Sequence, residues 1–372
     1  MNRRTAGLIS VAIAVGLLVV GMWPFAFRPP NRVSWLKDHA GLSFQPDGIA
    51  YDPASADWSA GGLPDQPAAF TMELWLEPGR VPPTDLFHIL TIDNGGFPSG
   101  FILFQWKTEL LLRVRDRARI RGFREVGPGG VLAEQEPCFI TITVAPAGTT
   151  FYTNGFALIH YPGFTASSSR LNGRLILGNA AAGKHPWSGN LFGLAIYNRA
   201  LDASEVAHHY AVWTSHQAAQ LAAEPGLAAL YRFDEHNGPW ANDLSVNRHR
   251  LWIPERYEVL QKRVLELDPI GISDLDDIVV NIFGFVPFGF IAYQYRRLAR
   301  PDGRVGNLVW AVCVGATISV AIELTQVWLP NRTSSINDLF TNTLGTFLGA
   351  LLARRMQSRT TSAGDTPKTG RE

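Results

Sequence analysis

The sequence predicts a multidomain protein: an all-β sandwich inserted into an all-α, polytopic membrane bundle of about four transmembrane helices. Three observations predict it. Nearly all the long apolar runs lie in Ala6 to Phe27 and Ile278 to Ala353. Between them, residues 35 to 265 mix short alternating segments with Gly, Pro, Asn and Asp. Arginines gather at every second end of the apolar runs. With 33 basic and 32 acidic side chains, the chain has no global attraction for nucleic acid.

The elements follow in chain order. After a cytoplasmic N-terminus of residues 1–5, the uncharged run "AGLISVAIAVGLLVVGMWPFAF" covers residues 6–27. It reaches the roughly 20 residues that a bilayer-spanning helix needs and exceeds the usual signal-peptide core, so it reads as an uncleaved signal anchor. Three further spans are expected at about 277–295, 307–329 and 336–353. Arg3 and Arg4 precede the first span, Arg296, Arg297, Arg300 and Arg304 join the second to the third, and Arg354, Arg355 and Arg359 follow the fourth. Basic loops stay in the cytoplasm. The chain is thus expected to cross the cytoplasmic (inner) membrane four times, with both termini inside and the middle region outside. Residues 357–372 read as a disordered cytoplasmic tail and 256–276 as a linker.

The middle region, residues 35–255, reads as the sandwich. In "AAFTMELWLEP", Phe70, Met72, Leu74 and Leu76 alternate with Thr71, Glu73 and Trp75, the period-2 signature of a half-buried strand. Short strands with Gly and Asn turns recur after it: "FHILTID", "GFILFQW", "ELLLRVR", "CFITITVAP", "TTFYTNG", "RLILGN" and "GNLFGLAIYN". Asp202 or Ser204 can cap a short helix that buries Val206 and Tyr210. His208 and His209 on that helix are expected at the surface, and Trp75 and Trp106 in the core.

The membrane region holds polar residues where a charge costs about 2.5–3.5 kcal/mol even on the lenient insertion scale. Glu323 and Gln326 are spaced i, i+3, and Asp338 and Asn342 i, i+4, so each pair shares a helix face. Asn281, Glu323 and Asn342 fall at similar depth in the outer leaflet, and Arg332 in the adjoining loop is the expected counter-ion. The structural reading stands beside this one. Ser335 and Asp338 fit a capping box, the asparagines can be interhelical glue, and Gly284, Gly289, Gly345 and Gly349 can simply allow close packing.

"NIFGFVPFGF" followed by "IELTQVWLPNRTSSINDLFTNTLGTFLGALL" resembles the VanZ-like family of bacterial membrane proteins. The family's motif places Asn281, Phe285, Pro287 and Gly289 on one helix, Glu323 and Gln326 at the end of the next, Arg332 in a loop, and Asp338, Asn342 and Gly345 on the last. The resemblance covers about the last quarter of the chain, and the first span would be the family's first helix. It implies a domain of residues 277–356 with a link to resistance against glycopeptides of the teicoplanin type, and no established chemistry. Likewise "FTMELWLEP" and "WSGNLFGLAIYNRALDASEVAHHY" resemble laminin-G-like (LamG), concanavalin A-type jelly rolls. That family opens with a segment like "LYRFDEHNGPWANDLSVNRHRLWIP", which here, at Leu230 to Pro254, follows the closing strand. Either residues 230–254 fill the first strand's place by permutation or they are a linker.

Such sandwiches bind glycans or proteins at rim loops, and Ile92 to Gly100 and Asn179 to Trp187 are candidates. Asp93 and Asn94 offer two oxygens to Ca²⁺, short of the six to eight it takes. Cys138 and Cys313 are placed too differently to pair, and hydrolase and kinase motifs are absent. Two functions remain. One is a non-enzymatic envelope protein binding a lipid, lipid-linked intermediate or glycopeptide through Asn281, Glu323, Gln326, Arg332, Ser334, Asp338 and Asn342, with the sandwich holding an envelope glycan or protein. The other is a membrane enzyme with Glu323 as general base, Arg332 steadying an anion, and Asp338 as the third catalytic candidate.

Overall fold

The computed structural model describes residues 2–59, 69–80, 82, 85–96, 99–116, 118–119, 122–267, 275–330 and 332–362, with side chains as far as Met356. Phe97 and Pro98 of one candidate rim loop, Asn331 of the loop after the third span, and residues 363–372 of the expected tail lie outside the described residues. The chain divides into two compact units, Arg28–Gln261 and the pair of segments Met1–Phe27 with Lys262–Glu372.

The first unit is a sandwich of two antiparallel sheets. One contains β1 (Val33–Trp35), β2 (Leu42–Phe44), β5 (Phe70–Pro78), β10 (Cys138–Ala145), β11 (Gly148–Thr153), β12 (Phe156–Pro162), β14 (Gly189–Tyr197) and β15 (Leu227–Tyr231), in the order β1-β2-β14-β5-β10-β11-β12 with β15 also on β14. The other contains β3 (Ala50–Tyr51), β4 (Ala56–Asp57), β6 (Phe87–Asp93), β7 (Phe101–Trp106), β8 (Glu109–Arg115), β9 (Phe123–Val126), β13 (Asn172–Leu177), β16 (Trp240–Ala241) and β17 (Leu251–Trp252), in the order β16-β17-β3-β13-β6-β7-β8-β9 with β4 on β13. The inward halves of the alternating strands, among them Phe70, Met72, Leu74, Leu76, Ile140 and Ile142, form the buried core between the sheets. Trp58 and Trp187 are fully buried in it. Trp75 and Trp106, expected there, are only half-buried: Trp75 points outward from β5 against Phe192 and His216, and Trp106 lies under the Lys107 ammonium.

The outward face of the first sheet is also covered. Helix α2 (Ala203–Thr214) is capped by Asp202 in a capping box with Glu205 and lays Val206, Val212 and Trp213 on Phe139, Ala195 and Tyr197. This corrects the expectation for the two histidines. His208 is exposed, but His209 is buried, and its Nδ1 lies 2.9 Å from Oε1 of Glu73 on β5. Trp213 donates its indole N–H to the other oxygen of Glu73 at 3.1 Å. A polar residue thus sits on the inner face of α2 because a buried carboxylate lies beneath it.

Leu230 to Pro254 are part of the sandwich. β15 pairs with the second half of β14, beside β2 on its first half, and Trp252 of β17 pairs with Tyr51. Buried Asp243 holds the turn between them, accepting the N–H groups of Leu230, Ser245 and His249 and the Ser245 hydroxyl.

The second unit is a helical bundle of α1 (Arg3–Met22), α3 (Leu275–Ala299), α4 (Arg304–Gln326) and α5 (Ile336–Ser362). Among the described residues, α1, α3 and α4 are long and apolar enough to cross a membrane. α1 ends at Met22, not at Phe27, because Pro24 has no N–H and pushes Trp23 out of helical geometry, to φ −64 and ψ 134. The third helix likewise runs from 304 to 326 where 307 to 329 was expected. Leu8, Val11, Phe283, Val305 and Phe340 are exposed on the bundle's outside, while Asn307, Ser319, Glu323, Gln326, Asn342 and Thr346 are buried within it. Apolar outside and polar inside is the arrangement that suits lipid. The glycines set the spacing: a methyl on Gly289 would collide with the Thr346 carbonyl, on Gly345 with the Ile282 carbonyl and on Gly349 with the Val286 carbonyl. Phe285 is buried, and Pro287 lies inside α3 on an exposed side.

Candidate functional site

Within the helical unit a cavity of about 350 Å³ opens beside the ends of α1 and α4 and the starts of α3 and α5. Asn281, Glu323, Gln326, Arg332, Asp338 and Asn342 all line it, so residues up to 61 positions apart (281 to 342) meet in one place. Leu17, Val20 and Val280 form an apolar wall, and Asp277 and Thr333 stand among the polar residues.

Several of the polar groups tie the helices together. The Glu323 carboxylate, 1% exposed, accepts the Ser335 N–H at 2.7 Å. That is the bond a capping-box carboxylate at Asp338 would make; it comes instead from α4 and ties α4 to the start of α5. Ser335 completes the cap by accepting the Asn337 N–H at 3.1 Å. Buried Ser334 accepts the Leu265 N–H through its hydroxyl at 3.1 Å, and the backbone of Glu266 bridges to Ser334 and Ile336. Gln326 donates its amide to the Gly21 carbonyl at 2.8 Å, joining α4 to α1. Asn342 donates to the Ser319 hydroxyl at 3.0 Å, but its own carbonyl oxygen is buried without a partner.

Arg332 is not the counter-ion of Glu323. Its guanidinium donates twice to the Trp23 carbonyl, at 3.2 and 2.9 Å, and no ion pair joins it to Glu323 among the described residues. The Trp23 carbonyl is free to accept because α1 has ended there, and a flexible arginine reaches it more cheaply than it enters the bundle. Gly289 and Gly345 belong to the packing of α3 on α5, not to the cavity wall.

In the sandwich, Asp93 and Asn94 line a separate polar hollow of about 400 Å³, with Asn172, Arg174 and Gln261. Asp93 accepts the Gly95 N–H and the Ser99 hydroxyl through one oxygen, and Asn94 accepts the Gly96 N–H. Both oxygens offered to calcium therefore shape their own loop. Among the described residues no group of three or more His, Cys, Asp or Glu side chains is placed to hold a metal. The other candidate loop is packed down: Asn179 is fully buried, donating to the Tyr257 hydroxyl and accepting the N–H groups of Ala180 and His185. Burial pushes the Tyr257 phenol up and, with the neighbouring His185, holds His88 well below its ordinary range.

Arg174 escaped sequence reasoning. It pairs with Asp93 in the register of β13 on β6, and its buried Nε has no partner. An arginine in an apolar strand next to a rim loop was the available signal.

The comparisons agree with this architecture. Residues 54–207 match the concanavalin A-like lectin/glucanases superfamily, and residues 219–357 match the VanZ/LLP1 family. The second match begins before the expected residue 277 and includes β15 to β17; neither match includes α1. The chain thus joins a concanavalin A-like sandwich to a VanZ-like region, and it is a membrane protein. No curated protein matches the sequence. Among solved structures, a Bacteroides ovatus protein described as carbohydrate binding is 13% identical, with a TM-score of 0.40 over 59% of this chain and 61% of its own. The Ruminococcus gnavus sialidase CBM40 bound to α2,3-sialyllactose is 10% identical, with a TM-score of 0.35 over 45% of this chain and 95% of its own. A pentraxin from Limulus polyphemus is 12% identical, with a TM-score of 0.32 over 48% and 80%. The chain spans less than two thirds of the first of these.

Proposed function

We propose that this protein binds an amphiphile, a membrane lipid or lipid-linked envelope intermediate, in the cavity of its helical unit, and that the sandwich holds an envelope glycan outside the membrane. The observation that carries the reading is the cavity's mixed lining: polar Glu323, Asn342 and Gln326 together with apolar Leu17, Val20 and Val280. Polar groups inside a bundle have to meet each other or a wet or polar ligand. Here they converge on a space at the lower end of the ligand-pocket range, enough for a head group.

The orientation rests on charge. Arg3, Arg296, Arg304 and Arg354 belong to the same ends of their alternating helices, with Arg3 over Tyr295 and Arg296 over Trp310. The positive-inside rule makes that end cytoplasmic and turns the cavity outward. The glycan part rests on the superfamily match and on the hollow of Asp93, Asn172, Arg174 and Gln261, whose mixed donors and acceptors suit hydroxyl groups. Resistance to a glycopeptide of the teicoplanin type is consistent with an amphiphilic ligand.

Two measurements test the reading. Lipids extracted from the purified full-length protein should include one enriched over the membrane average, and Glu323→Gln should lose it while keeping the Ser335 N–H acceptor. Single cysteines at Thr333 and Asp302 should differ toward an impermeant maleimide in spheroplasts, Thr333 reacting and Asp302 not. An unenriched lipid profile would remove the first half of the proposal, and the reversed labelling would invert the topology.

A further inference from the structure

The cavity's hydrogen-bond balance narrows the ligand class, on the reading that the cavity binds an amphiphile. Its most buried amide donors are committed. The Gln326 amide is committed to the Gly21 carbonyl, the Asn342 amide to Ser319, and two arms of Arg332 to the Trp23 carbonyl. Its acceptors are not. The Asn342 carbonyl oxygen, on a side chain 4% exposed, has no partner. Glu323, 1% exposed, has the Ser335 backbone N–H and the Ser334 side chain as partners but no cation among the described residues. The Asp277 carboxylate lines the same space. A buried acceptor left unpaired is costly, and a buried carboxylate without a cation more so. What satisfies both is a positively charged group that donates hydrogen bonds.

We infer that the cavity takes the primary ammonium head of an amphiphile, its N–H groups donated to Glu323 and Asn342 and its tail against Leu17, Val20 and Val280. A primary ammonium has three N–H donors, enough for both acceptors and for the half-buried Asn281. A quaternary ammonium has the charge but no donor, and a glycerol head has donors but no charge. Neither meets both demands. An anionic group next to the ammonium, as in a phosphoethanolamine head, would lie toward Arg332 and Thr333 at the exposed side of the cavity.

The experiment uses the full-length protein in mild detergent, offered equimolar phosphatidylethanolamine, phosphatidylcholine and phosphatidylglycerol with identical acyl chains, and reads bound lipid by native mass spectrometry. The ethanolamine lipid should be retained about tenfold over each of the others, the factor a preference of ~1.4 kcal/mol gives. Glu323→Gln, which keeps an acceptor for the Ser335 N–H, should bring the ratio toward one. Soluble phosphoethanolamine should compete only at far higher concentration, because it lacks the tail. Equal retention of the three lipids, or preference for choline or glycerol heads, overturns the ammonium assignment and leaves amphiphile binding standing. Retention of no lipid overturns both. Competition by soluble phosphoethanolamine at the lipid's own concentration removes the tail from the assignment. The wild-type comparison needs no variant, so a Glu323→Gln protein that does not fold leaves the test intact.

Discussion

The adjacent histidines of α2 make the sharpest test of the sandwich's packing, since they share a backbone and differ only in what they touch. His209 is 1% exposed, with Nδ1 2.9 Å from Glu73; His208 is exposed. Removing His209 as Ala leaves one oxygen of a fully buried carboxylate without its donor and opens a space beside Tyr197, whose ring lies 5.3 Å from the imidazole. Leaving a buried carboxylate short of a donor and emptying a ring-sized space together cost about 3–5 kcal/mol, which for a unit the size of Arg28–Gln261 lowers Tm by about 6–20 °C. His208→Ala should stay within about 0.5 kcal/mol of wild type. Glu73→Gln, which keeps one acceptor oxygen and turns an N–H₂ toward a donor, should fall between, at about 1–3 kcal/mol. Urea and thermal melts of Arg28–Gln261 followed by tryptophan fluorescence measure all three. Equal melts for the two histidine variants would refute the reasoning, because they would mean that the Glu73–His209 contact contributes nothing.

Acid should weaken the sandwich through His88 and His185, which stack at 4.9 Å and are both held below 6.5 by burial. With folded values depressed, the unfolded chain takes up the protons first as pH falls below 6.5, so stability is level above that pH and drops below it. The slope is about 1.4 kcal/mol per pH unit for each histidine, and His88→Asn should flatten it in denaturant melts between pH 7 and 5. In the bundle, Gly345→Ala drives a methyl into the Ile282 carbonyl, whereas Gly16 has open space around it. The first should destabilise by about 1–3 kcal/mol and the second gain up to about 1 kcal/mol of helix propensity, as read by thermal unfolding in detergent. Asp243→Ala removes four hydrogen bonds at the junction of β15 with the turn and should cost at least about 3 kcal/mol. A melt unchanged by that substitution would mean that residues 230–254 are a linker and not the permuted strand.

Much of the fold was legible because it is periodic. The alternation of Phe70 to Leu76 specified which side chains enter the core, and the charge-free and arginine-flanked runs marked the helices. The polar residues at helical spacing also located the cavity: Asn281, Glu323, Gln326, Asp338 and Asn342 all reach it. What was not legible depended on contacts distant in sequence. Arg332 bonds a carbonyl 309 residues away, at a helix end that only Pro24 defines. Glu323 takes over the capping role expected of Asp338, which no local pattern announces. His209 falls at the spacing of Val206 and Val212, so the helix face was readable. Its partner is Glu73 on the outward face of β5, the face that also carries Trp75, and the alternation within that strand does not announce that α2 covers it as a third layer.

The most direct test of the cavity's role is photo-cross-linking in the purified, full-length protein carrying a photoreactive phenylalanine at Val280, in the cavity wall, or at Phe347, which is exposed on α5 and does not line it. In detergent, where bulk lipid is gone, the account predicts an adduct with the mass of a polar-headed lipid at position 280, lost in Glu323→Gln, and none at position 347. Equal labelling at both positions, or labelling at 280 that survives Glu323→Gln unchanged, would contradict it.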